Sequence, residues 1–73
     1  MTTYTVLVYE AEPEESGYWA TVAELPGCGT TGETIEEIEV NIKDAIETYI
    51  DALRTLGKPI PQPVTRKFEV AVA

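Results

Sequence analysis

The chain has 73 residues with 13 acids against 5 bases, a formal charge of −8. At this length it is a single domain, residues 1–73, that buries only about 60% of its unfolded surface, so a partner or self-association is expected. The charge argues against nucleic acid, whose phosphates need clustered Lys and Arg; Arg66-Lys67 is the only adjacent basic pair.

A basic protein is the better match for such a surface, unless the charge serves only solubility. Hydrophobic residues make up 44% of the chain, which is ordinary for a folded domain. One cysteine, Cys28, rules out an internal disulfide. The opening Met-Thr-Thr-Tyr-Thr has no charged region and no apolar run, so no signal peptide is expected. A reducing cytoplasm fits both features.

Tyr4 to Glu10 (YTVLVYE) is β-branched and aromatic, and is predicted as a strand. Tyr4, Val6 and Val8 point one way and Thr5, Leu7 and Tyr9 the other. Neither face is strongly polar, so one is expected to meet a helix and the other a second subunit. Ala11 to Gly17 is a polar connection with an acidic tip, Glu12, Glu14 and Glu15. The spacing of a calcium loop is missing, so the tip reads as solvated. Tyr18 to Leu25 (YWATVAEL) is the second strand of a hairpin. It sets Trp19, Thr21, Ala23 and Leu25 opposite Tyr18, Ala20, Val22 and Glu24. Pro26-Gly27 turns the chain into a brief edge strand, Cys28 to Thr31, where Gly29 marks a bulge or a close backbone approach.

Thr34 to Gly57 carries the strongest pattern. Ile35, Ile38, Ile42, Ile46, Tyr49, Leu53 and Leu56 recur at gaps of three and four, with Ala45 between them. This is one apolar stripe on an α-helix. Thr34 is placed as N-cap with Glu37 three residues on, and Gly57-Lys58-Pro59 as the stop. The outer face, with Val40 among Glu36, Lys43 and Glu47, is too polar to span a membrane. Lys58 to Pro63 (KPIPQP) can be neither helix nor central strand. Val64 to Ala73 (VTRKFEVAVA) alternates and is predicted as a last strand, joining beside the first strand or in another chain's sheet. The expected fold is α+β, in the order β-β-β-α-β. The sheet is mostly antiparallel and one long helix lies on one of its faces.

The chemistry on offer is thin. No histidine is present, which removes Ser-His and Cys-His nucleophiles, histidine metal sites and the usual base at neutral pH. Cys28 reads as a small packed residue and not a reactive thiol. Glu10 and Glu24 could form a carboxylate pair, but read as ordinary strand-end glutamates. Gly27, Gly29 and Gly32 lack the lysine and spacing of a phosphate loop. No catalytic, cofactor-binding or metal-ligating residue is assigned, and an enzyme is not expected.

Several of these pieces together carry a family likeness. They are Gly17-Tyr18-Trp19 opening the second strand, the L-P-G-C turn at Leu25 to Cys28, Gly32-Glu33-Thr34 leading into the helix, and N-I-K-x-A-I at Asn41 to Ile46. Over about residues 4 to 60 the chain resembles the HicB antitoxin family. The resemblance implies a degraded ribonuclease-H-like domain without catalytic carboxylates. It also implies binding and neutralisation of a HicA-like toxin, a small basic protein that cleaves messenger RNA. Typical members continue into a DNA-binding segment. This sequence stops at Ala73, so operator binding is not expected. No family motif fixes toxin-contacting residues, so partner-binding residues stay unassigned. A stand-alone, self-associating relative that binds another protein or a small ligand is the alternative.

Overall fold

A computed structural model describes residues 2–63, 66 and 68–73. The fold is α+β, with strands β1 (Val6–Glu10), β2 (Tyr18–Val22) and β3 (Gly29–Gly32) followed by helix α1 (Ile35–Thr55). The sheet is antiparallel in the order β1-β2-β3. Val8 faces Ala20, Tyr9 faces Trp19, and Trp19 faces Thr31. Strand side chains alternate. One face therefore carries Val6, Val8, Ala20 and Val22, and the other Leu7, Tyr9, Trp19 and Thr21.

The helix begins as the sequence predicts. Thr34 is extended, and its hydroxyl accepts the Glu37 N–H at 3.1 Å. The Glu37 carboxylate reaches back one residue beyond the cap, to the Glu33 N–H at 3.2 Å. At the far end Gly57 has φ +70, and its N–H donates to the Arg54 carbonyl. A left-handed residue here closes the helix, and glycine adopts that conformation without strain.

The core lies between this helix and the inner faces of β2 and β3. Ala20, Val22, Leu25, Cys28, Ile38 and Ile42 are buried, with Tyr4, Val6, Tyr18, Ala45, Ile46 and Tyr49 packed around them. The helix contacts β3 and β2 extensively and β1 little. Its 21 residues span about 31 Å, whereas strands of four or five residues span about 17 Å. The two ends of the apolar stripe thus overhang the sheet, and Ile35 and Leu56 are exposed.

Two segments differ from the sequence reading. β2 ends at Val22, not Leu25. Leu25 N–H bonds to the Val22 carbonyl and Cys28 N–H to the Leu25 carbonyl, so two successive turns replace the end of the strand. Once out of the strand, Leu25 swings away from the Trp19 face and is fully buried. The last strand, expected over Val64 to Ala73, does not form among the described residues; Val64, Thr65 and Lys67 lie outside them. Residues 68–73 belong to no strand, and Phe68, Val70 and Val72 are 80%, 70% and 87% exposed. A strand needs a ladder partner for its N–H and C=O groups, and among the described residues this segment has none.

A candidate protein-docking face

The carboxylates and the thiol that the sequence offers for chemistry are kept apart. Glu10 pairs with Tyr18 at one end of the hairpin. Glu24 sits beyond the other end and accepts the Thr5 N–H at 2.9 Å. Four residue steps separate the Val6–Val22 and Glu10–Tyr18 pairs, about 13 Å, so no carboxylate pair forms. Glu24 closes the end of the sheet instead. The neighbouring Thr5 carbonyl accepts the Ala23 N–H. Cys28 is buried, and desolvation pushes its thiol pKa up, away from the reactive thiolate. Glu12, Glu14 and Glu15 form an exposed hairpin tip, tightened by a Glu15 N–H to Glu12 carbonyl bond.

The outer face of the sheet differs in character. Tyr9 and Trp19 stack across the β1–β2 pair with ring centroids 4.3 Å apart and planes at 19°. Leu7 extends the surface, and all three are a little over 40% exposed. The next register pair, Glu10–Tyr18, points to the opposite face, and the connection that follows it carries Glu12, Glu14 and Glu15, all exposed. Rigid aromatics in an apolar patch with charge at the rim are the composition of a protein interface centre. The sequence leaves one face of β1 for a second subunit without choosing which, and does not mark the Tyr9–Trp19 stack. That contact depends on hairpin register, and a seven-residue connection does not set register.

The helix offers a second acidic surface. Val40 is exposed there, as expected. On that helix Arg54 and Asp51 form an ion pair at 3.7 Å. Among the described residues no helix is long and apolar enough to cross a membrane.

Residues 4–71 match the family model described as the HicB-like antitoxin of bacterial toxin-antitoxin systems. The chain belongs to the HicB-like antitoxin family. It is 42% identical to a UPF0150 protein of Thermoplasma acidophilum, over 92% of this chain and 94% of that one. It is 48% identical to a UPF0150 protein of Helicobacter pylori, over 85% and 90% of the two chains. A UPF0150 protein of Synechocystis is 43% identical over 81% of this chain and 72% of its own.

Proposed function

We propose that this protein is an antitoxin that neutralises a HicA-like, messenger-RNA-cleaving toxin by direct binding. The observation that carries the reading is the exposed Leu7–Tyr9–Trp19 face, in a hairpin whose connection carries three exposed carboxylates. A ribonuclease binds RNA with a basic surface. An acidic rim steers such a surface into place, and the aromatic centre supplies short-range affinity. The toxin's RNA site is thereby covered, and the antitoxin needs no chemistry of its own. The protein acts in this reading as a binding module in the cytoplasm, not as an enzyme.

Co-expression tests it. A small basic HicA-like ribonuclease encoded beside this gene should arrest growth alone, and growth should recover when this chain is supplied. The two should also purify as one complex. A toxic neighbour whose effect this chain leaves unchanged would defeat the proposal. A second reading is a stand-alone HicB-like module that associates with itself and binds another protein or a small ligand. It rests on an open groove of about 660 Å³ between the helix and the start of β1.

A further inference from the structure

Three features of the chain fit one another. The first is the outer edge of β1. β1 and β3 are the two edges of the sheet. β3 is short and polar (GTTG), and its Thr31 carbonyl is taken by the Asn41 side chain at 3.0 Å. β1 (VLVYE) is largely apolar, and among the described residues no strand lies along its outer edge. A flat apolar edge of this kind pairs with another strand when one is available.

The second feature is the inner face of β1. Val8 points to the same side as buried Ala20, yet it is 42% exposed because the helix lies over β2 and β3. A groove next to Tyr4, just ahead of β1, is lined by Ile42, Ile46, Ile50 and Ile60 together with Lys43, Glu47 and Arg54. Ile50, which the sequence stripe omits, is half-buried on that flank of the helix.

The third feature is segment 68–73. Phe68, Val70 and Val72 alternate as in a strand with one apolar face, and all three are strongly exposed. The radius of gyration is 14.0 Å, whereas a compact domain of this length has about 11 Å. The chain is thus extended, and the exposure of Phe68, Val70 and Val72 shows that the segment packs little against the body. The Tyr4 hydroxyl donates to the Pro61 carbonyl at 3.0 Å, which holds the approach to the segment at the beginning of β1. Prolines at 59, 61 and 63 stiffen that approach.

We propose that segment 68–73 of one copy forms a fourth strand along the free edge of β1 in a second copy. Phe68, Val70 and Val72 then cover the uncovered inner face of β1 and enter the groove beside Ile46 and Ile50. The exchange is reciprocal and closes as a twofold dimer. It is independent of the antitoxin reading, since it uses the edge and inner face of β1 and leaves the outer Tyr9–Trp19 face open.

The test uses the full chain. Light scattering should give about twice the 8.0 kDa chain mass. Val70→Asp should raise the dimer dissociation constant by about tenfold or more, with the helical circular dichroism retained. Glu69→Lys, on the opposite face of the segment, should leave the dimer intact. A second measurement avoids any variant that disturbs folding. A Val8→Cys protein and a Val70→Cys protein are unfolded together, refolded and treated with a short bis-maleimide. They should link to each other, while the unsubstituted protein, with Cys28 buried, should not link. Three results would overturn the proposal. One is a stable monomer. Another is a Val8→Cys/Val70→Cys double variant that links within a single chain, which would place the segment on its own β1. The last is a dimer indifferent to Val70→Asp that gives no link, which would place the contact on another face.

Discussion

Gly29 and Cys28 show how small residues set the tight end of this core. A Cβ at Gly29 would stand 2.7 Å from the Ala20 carbonyl oxygen, a backbone atom that cannot give way cheaply. Gly29→Ala is therefore expected to cost about 1–3 kcal/mol, read as a lower midpoint in urea unfolding. The sequence flagged this position as a close approach, because glycine inside a short strand has few other uses. The Cys28 thiol has its pKa raised above the ordinary 9.0 by desolvation. The unfolded chain therefore sheds this proton first as pH rises. The contribution of the thiol to stability is complete below about pH 9 and is lost as pH climbs through the folded-state pKa. A Cys28→Ala variant should show a shallower fall in stability at alkaline pH. In the native protein at pH 7, a thiol reagent should label Cys28 far more slowly than in urea.

At the scale of elements, the helix was legible almost to the residue. Its signals are local: a hydroxyl at Thr34, an acid three residues later, a three-four apolar spacing, and a glycine before a proline. Thr34→Ala removes the bond to the Glu37 N–H. It is expected to lower stability by about 1 kcal/mol, measurable by thermal melting of the circular dichroism signal. The strands were legible as existing but not in their ends. YWATVAEL alternates through Leu25, and nothing local announces that the ladder stops at Val22. It stops because two turns bring Leu25 beneath the helix, where its side chain is fully buried. Leu25→Ala is accordingly expected to cost about 2–5 kcal/mol, among the largest single losses in the chain, by the same urea measurement.

For the whole molecule, the decisive relation is between surfaces. The helix covers the inner sides of β2 and β3, and the aromatic stack lies on the opposite side of the sheet. The proposed docking face is thus separate from the face packed in folding. Trp19→Ala is expected to leave the urea midpoint little changed, because the ring is substantially exposed. In a titration against the HicA-like toxin it should lose about 2 kcal/mol or more of binding free energy. Raising the salt concentration should slow association more than it speeds dissociation, since the carboxylate rim acts mainly through steering. Equal affinity of Trp19→Ala and the unsubstituted chain would move the contact to the Val40 face of the helix.

The sequence alone determined the α+β class, the order of three strands and a helix, the acidic character and the family likeness. Each of these follows from composition or from patterns within a few residues of one another. The tertiary structure decided the separation of Glu10 from Glu24, the turn that buries Leu25, the Tyr9–Trp19 stack and the exposure of Phe68, Val70 and Val72. These depend on strand register and on which strands the helix covers. Both are set by packing between residues distant in the chain, where no local pattern reports.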